Sequence, residues 1–202
     1  LAAMASGNAF AYTLSPPQAL RFGTSWPDAV AIGDIDGDGR NDVVITTTDL
    51  YPVTTFQIQV FFQQPDGRLG APQLYDYGWG NETGLAMADL DHDGRMEIVV
   101  GHGGITIFDW SVADHAMQQH EYYDEYLLVN AIDVAVVDVN RDGNLDVVGQ
   151  SWSDGAIVFL GDGKGGIRRM WYLDTPPDGY NDVEVGDFNG DGHQDFVALS
   201  GQ

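Results

Sequence analysis

One nine-residue acidic segment occurs four times without gaps, and it constrains the fold more than any other feature of this chain. The copies are Asp34-Ile-Asp-Gly-Asp-Gly-Arg-Asn-Asp42, Asp89-Leu-Asp-His-Asp-Gly-Arg-Met-Glu97, Asp138-Val-Asn-Arg-Asp-Gly-Asn-Leu-Asp146 and Asp187-Phe-Asn-Gly-Asp-Gly-His-Gln-Asp195. Position 1 is always Asp, position 3 Asp or Asn, position 5 Asp, position 6 Gly, and position 9 Asp or Glu. Successive first aspartates lie 55, 49 and 49 residues apart. A period of this length marks a repeat architecture, one supersecondary unit stacked several times. The 15 residues after Asp187 and the 34 ending at Asp34 make another 49, so the spacing predicts whole repeats with one unit shared between the two ends.

The flanks of the loops repeat as well. An alternating stretch precedes each loop (residues 29–33, 84–88, 132–137 and 182–186), and a short apolar run follows it (43–45, 98–100, 147–148 and 196–199). Short β-branched segments bounded by Gly and Asp read as strands. A third strand is expected over 55–62, 104–108 and 156–160, and a fourth over 73–77, 119–123 and 170–173. No amphipathic helical period is found. Four strands per repeat of about 50 residues is the pattern of a propeller blade. The expected fold is therefore all-β: a single β-propeller domain over residues 1–202, built from four four-stranded blades. One blade is completed by strands from both termini, residues 1–22 supplying what the C-terminal end does not. Closure of that kind leaves no open sheet edge.

The charge balance says where the acids must go. With 31 acidic against 8 basic residues the formal charge is −23, which repels nucleic acid and anionic membrane and excludes both as partners. So large a charge destabilises a compact fold unless cations neutralise it. The absence of cysteine excludes disulfides and thiolate metal sites. No apolar run approaches the roughly 18 residues of a membrane span. The start at Leu1, with no charged segment before it, reads as a processed end from which a signal peptide has been removed.

Acidic residues at positions 1, 3, 5 and 9 place carboxylate or amide oxygens around one point, and Ca²⁺ is a hard cation that takes six to eight oxygens. The candidate ligands are Asp34, Asp36, Asp38 and Asp42; Asp89, Asp91, Asp93 and Glu97; Asp138, Asn140, Asp142 and Asp146; and Asp187, Asn189, Asp191 and Asp195. Position 7 (Arg40, Arg95, Asn144 or His193) adds a backbone carbonyl. The Gly at position 6 permits the left-handed turn that wraps chain around an ion. Two charges 5 Å apart cost roughly 3 kcal/mol at an effective dielectric of 20, so an empty loop is under repulsion. Four Ca²⁺ would bring the charge from −23 to −15. An EF-hand begins alike but needs a bidentate Glu at position 12 and flanking helices. Here position 12 is Ile45, Val100, Gly149 or Ala198 and the flanks are strands. Mg²⁺ fits less well, because it keeps its waters.

In this pattern the chain resembles the FG-GAP repeats, also called VCBS repeats, of integrin α-subunits and of secreted lectins. Phe22-Gly23, and Gly70-Ala71-Pro72 after Asp66-Gly67, are further points of likeness. The resemblance covers all four repeats. It implies a β-propeller with structural calcium in the loop joining strands 1 and 2 of each blade, and an extracellular or cell-surface setting. Well-known members have seven blades, whereas this chain has material for four. A four-bladed ring, a two-chain ring, a polymer formed by exchange of terminal strands and a piece of a longer propeller all follow from that count.

Beyond calcium the signal thins. Trp26, Trp79, Tyr126 and Tyr180 precede the first strand of their repeats, and aromatic rings at blade mouths suit the apolar faces of sugars. Packing between blades is the plainer explanation for them, and Trp110, Trp152 and Trp171 are expected to be core or interblade. The five histidines form no metal-ligand spacing, and His92 and His193 are expected to be solvated. No nucleophile elbow, paired-carboxylate cleft or phosphate loop stands out. Asn81-Glu82-Thr83 is a glycosylation sequon. The expected function is a binding or adhesion module for glycan or an extracellular protein partner. Two other classes remain open: a structural subunit that assembles with copies of itself, and a propeller-based lyase or dehydratase.

Overall fold

Short β-branched runs separated by Asp-Gly turns have no means of forming helices, and the chain folds into strands. The structure, a computed structural model, describes residue 19 and residues 25–49, 55–78, 84–123, 131–151, 155–173 and 182–199. Fourteen strands and no helix lie among the described residues. They are β1 (Trp26–Gly33), β2 (Asp42–Asp49), β3 (Thr55–Phe61), β4 (Gln73–Asp76), β5 (Leu85–Ala88), β6 (Glu97–Gly101) and β7 (Ile105–Ser111), followed by β8 (Ala116–Tyr122), β9 (Ala131–Val137), β10 (Asp146–Ser151), β11 (Gly155–Gly161), β12 (Ile167–Tyr172), β13 (Val183–Gly186) and β14 (Asp195–Ala198).

These strands make four antiparallel sheets in the orders β1-β2-β3-β4, β5-β6-β7-β8, β9-β10-β11-β12 and β13-β14. Each is a meander in which every strand pairs with the next in sequence. We call the sheets blades one to four. Their first strands touch in succession, β1 with β5, β5 with β9 and β9 with β13, so the blades stand side by side along a shared inner edge. The fold is all-β and β-propeller-like. Residues 1–18, which the sequence assigns to the missing half of blade four, lie outside the described residues. So do 20–24.

The core lies between blades rather than within them. Ile35, Val44 and Ile58 of blade one pack against Ile98, Val100 and Phe108 of blade two. On the other face of blade two, Leu90, Val99, Ile105 and Ile107 meet Val134, Val147, Ile157 and Phe159 of blade three. Val137, Val148, Val158 and Leu160 then meet Val183 of blade four. This explains why β6 and β11 read as unbroken apolar runs instead of alternating: both of their faces are covered, and every residue of each is buried.

The two end blades differ. Trp26, Val30 and Ile32 of β1 are exposed, as are Phe188, Val197 and Leu199 of blade four. Those faces are where a further blade would pack. Several strands run longer than the sequence suggests, β1, β2, β7 and β10 among them: β7 continues to Ser111, and a tight turn over 112–115, closed by the His115 N–H on the Ser111 carbonyl, leads into β8. No helix of the described residues is long and apolar enough to cross a membrane.

Candidate metal centres

All four acidic segments fall on the turn joining the first and second strands of a blade, at one end of the shared inner edge. The turn is built by its own acids. The position 1 carboxylate accepts the backbone N–H of positions 5 and 6: Asp34 from Asp38 and Gly39 at 3.1 and 2.8 Å, Asp89 from Asp93 and Gly94 at 3.0 and 3.1 Å. Asp138 and Asp187 repeat this with Asp142 and Gly143, and with Asp191 and Gly192. Position 5 in turn accepts the N–H of position 7 in every loop.

The backbone enters the left-handed region twice per loop. Position 6 does so as expected, with Gly39, Gly94, Gly143 and Gly192 at φ of 83° to 91°. Position 4 does so as well: Gly37 and Gly190 both at 76°, His92 at 63° and Arg141 at 61°. For the two non-glycine residues this conformation costs about 1–2 kcal/mol. Both reach across to the next loop, His92 Nε2 lying 3.2 Å from the Gly143 carbonyl and Arg141 pairing with Asp191 at 3.3 Å. Loops one and two are joined from the other side, where the Met96 N–H donates to the Asp34 carbonyl at 2.9 Å.

Position 9 turns inward. Asp42, Glu97 and Asp146 are buried at the base of their loops. Asp42 accepts from the Ile35 and Gln63 N–H groups at 3.0 and 2.8 Å, Asp146 from Val139 and Gly161 at 3.1 and 2.9 Å. Glu97 accepts from Leu90 at 2.6 Å through Oε2, while its Oε1 has no hydrogen-bond partner. Burial raises all three carboxyls above the ordinary range, and it pushes Glu97, with the charges of Asp91 and Asp109 adding to the effect, up to about 8.

In loops one and two, position 9 meets positions 1 and 3. Asp34, Asp36 and Asp42 bring one carboxylate oxygen each to within 4.8 Å of one another, and Asp89, Asp91 and Glu97 do the same. Three carboxyl groups each bringing an oxygen toward a common point, with the Glu97 Oε1 of loop two buried and unpartnered, form a donor set that suits a hard divalent cation. Loops three and four carry an Asn at position 3 and do not gather three acids in this way. Position 5 is directed elsewhere. Arg40 sits on Asp38 and Arg95 on Asp93 within their own loops, Arg168 of β12 reaches Asp142, and Arg141 reaches Asp191. Each position 5 carboxylate thus has a guanidinium beside it. The arginines at position 7 were visible in the sequence, but only their carbonyls had an assigned role; Arg168 lies 26 residues from its partner and carries no local signal.

Of the four aromatic candidates, Trp26 lies among the described residues. Trp26 opens β1 with 68% of its surface exposed, while Trp79, Tyr126 and Tyr180 lie outside the described residues, as do Trp152 and the sequon at 81–83. Trp110 is core, packed on Phe62 at 4.9 Å. Trp171 corrects the expectation of burial: it lies on the outermost strand of blade three, 42% exposed, with the Arg169 guanidinium 5.0 Å from its ring centre. His92 is solvated as expected. His102, which the sequence did not single out, is buried in the β6–β7 turn against Thr106, and burial lowers its imidazole to about 4.

Comparison with known proteins agrees with the fold. Among solved structures the exotype rhamnogalacturonan lyase YesX is similar in fold, with a TM-score of 0.55 and 17% sequence identity. The match covers 88% of this chain and 40% of that one, so the chain spans well under half the length of that relative. No match was found among curated proteins. The family model for the FG-GAP-like repeat matches residues 34–100 and again 129–198, each match running from one acidic loop through the next. The chain belongs to the FG-GAP-like repeat family.

Proposed function

We propose that this chain is an extracellular, calcium-stabilised binding module in which each acidic loop holds one Ca²⁺. The convergence of Asp34, Asp36 and Asp42, and of Asp89, Asp91 and Glu97, to within 4.8 Å carries the reading. Positions 1, 3 and 9 would hold the ion, with position 7 adding a carbonyl and position 5 sharing its carboxylate with the neighbouring arginine. The ion supplies charge neutralisation and fixes the loop; no reaction is routed through it. Loops three and four, with amides at position 3, would bind more weakly. Extracellular modules of this kind bind in the range of about 10⁻⁴–10⁻³ M, which places filling outside the cytosol. The decisive measurement is a metal count after dialysis into millimolar calcium, where about four ions per chain are expected. Fewer than two would remove the reading.

Carbohydrate is the ligand class to test first. Trp26 presents an exposed ring at the head of blade one, and a sugar's apolar face matches such a platform. Binding on a glycan array that disappears in Trp26→Ala supports this, and an array with no calcium-dependent signal argues against it. The exposed apolar faces of blades one and four favour a second reading, self-assembly. Growth in solution mass with protein concentration in calcium would select it over a simple binding module.

A further inference from the structure

Blade two departs from its neighbours at one buried point, beside position 9 of its loop. Strand register fixes what faces that residue. Val43 pairs with Phe61, Ile98 with Phe108 and Val147 with Phe159, so one step further out Asp42 stands opposite Phe62, Glu97 opposite Asp109 and Asp146 opposite Leu160. Blades one and three therefore set an apolar side chain across from the acid. Blade two sets a second acid there.

The acids also differ in how they are satisfied. Both oxygens of Asp42 and of Asp146 accept backbone N–H groups, the second from Gln63, just past β3, and from Gly161 at the end of β11. Glu97, one methylene longer and 1% exposed, has no such donor for Oε1. Asp109 Oδ1 is likewise buried without a partner. Carboxylates directly opposite on adjacent strands, with Cβ atoms about 5 Å apart, repel. Two buried carboxyl oxygens without partners, on directly opposed residues of adjacent strands, call for a cation or a proton. Asp91, Arg95, Asp93 and His120 act electrostatically on Asp109, and of these Arg95 is already paired with Asp93. Blade three lies alongside, since a Cβ built on Gly165 of its β11–β12 turn would lie 3.9 Å from the Asp91 Cβ.

We infer that Asp109 is a cation ligand, a carboxylate from outside the loop that extends the second centre and sets it apart from the other three. The inference rests on the calcium reading of the loops. The extended site takes a divalent cation the size of Ca²⁺, bound by Asp89, Asp91 and Glu97 of the loop and by Asp109 of β7. A denser set of anionic ligands makes it the tightest of the four.

Calorimetric titration of chelator-stripped protein with Ca²⁺ tests this, on wild type, Asp109→Asn and Asp109→Leu. The leucine variant copies the residue that blade three uses at the same register, so it carries little risk to the fold. In wild type one step binds about ten-fold or more tighter than the rest, and both variants lower that step about ten-fold while leaving the weaker steps in place. Asp109→Leu also raises Tm in chelator, because the facing charge is gone, so calcium raises its Tm by less than it raises that of wild type. Identical titrations for all three proteins overturn the inference and leave a proton shared by Glu97 and Asp109 as the reason for the pair, with the loops still standing as calcium sites. A wild type that takes up no calcium removes the loop reading and this inference together.

Discussion

The loop of blade one and the loop of blade four share a sequence pattern and a backbone path, yet they sit in different surroundings. Ile35, at position 2 of the first loop, is fully buried against blade two; Phe188, at the same position of the last loop, is 58% exposed. Asp42 is fully buried and accepts two backbone N–H groups, whereas Asp195 is only partly covered and accepts one, at 3.3 Å, with the Asn189 amide 3.4 Å from its other oxygen. Blade one has four strands and blade four has two among the described residues. The motif therefore shapes the turn by itself, through its own Asx contacts, but the following blade is what seats it. Leu90 and Val139, the position 2 residues between these extremes, pack toward blades three and four respectively.

Removing the cations has the largest expected effect and acts on both loops at once. A site filled at ten times its Kd contributes about 1.4 kcal/mol by mass action. Over four sites, at about 2–4 °C per kcal/mol for a chain of this size, chelation lowers Tm by roughly 10–20 °C. The metal-free protein also gains a pH dependence of known sign. Glu97 titrates near 8 in the fold against an ordinary 4.5, so its contribution is fully present at low pH and is lost as pH rises across that window. Calcium binds the charged form and flattens that slope. A thermal scan with and without EDTA, at pH 5 and pH 8, checks both statements; equal Tm in all four conditions would end the calcium account.

Truncating the position 2 anchor comes next. Ile35→Ala opens a cavity between blades one and two and costs about 2–5 kcal/mol, while Phe188→Ala stays within about 0.5 kcal/mol. Denaturant titration of the two variants reads the difference. A cost at Phe188 matching that at Ile35 would break the comparison, because it would mean that blade four is covered in solution by a surface of this chain or of another copy.

How much of this the sequence carried can be argued from the same residues. The nine-residue loops, the strands on either side and the left-handed glycine at position 6 are local matters, and local chemistry announced them. What the sequence could not rank is burial: Ile35 and Phe188 look alike in their motifs, and only the stacking of blades distinguishes them. Convergence was equally hidden. The acids within a loop look equivalent, but in loops one and two positions 1, 3 and 9 come together, while in every loop position 5 goes to an arginine, and two of the four arginines come from outside the loop. Asp109 faces Glu97 only through strand register around the turn at 102–104, which residue types alone do not fix. His92 and Arg141 at a left-handed position 4 went unnoticed because glycine is the residue that signals such a turn.

Deleting the position 9 carboxylate should separate the loops by a smaller margin. Asp42→Ala strands the N–H groups of Ile35 and Gln63, at about 1–3 kcal/mol for a buried unsatisfied donor, whereas Asp195→Ala releases a more accessible N–H that water can reach and costs under about 1 kcal/mol. Both measurements belong in EDTA, so that lost metal does not add to the difference. Equal costs would show that Asp195 is as enclosed as Asp42.

The finest comparison uses two glycines with the same backbone. Gly37 and Gly190 occupy position 4 of the first and last loops at an identical φ of 76°, so an alanine meets the same backbone penalty at each, about 1–2 kcal/mol. Their neighbours differ: a Cβ on Gly37 would lie 3.0 Å from Arg95 Cγ of the second loop, and a Cβ on Gly190 would meet nothing within 4 Å. Any excess cost of Gly37→Ala over Gly190→Ala therefore measures contact between successive loops, free of the conformational term. Because the Arg95 side chain is flexible at that distance, the excess should be a few tenths of a kcal/mol in chelator. It should grow in calcium if the first two loops are held together when filled, since Arg95 then has less room to move away. Matched costs in both conditions would mean that the loops, though adjacent, bind and yield independently.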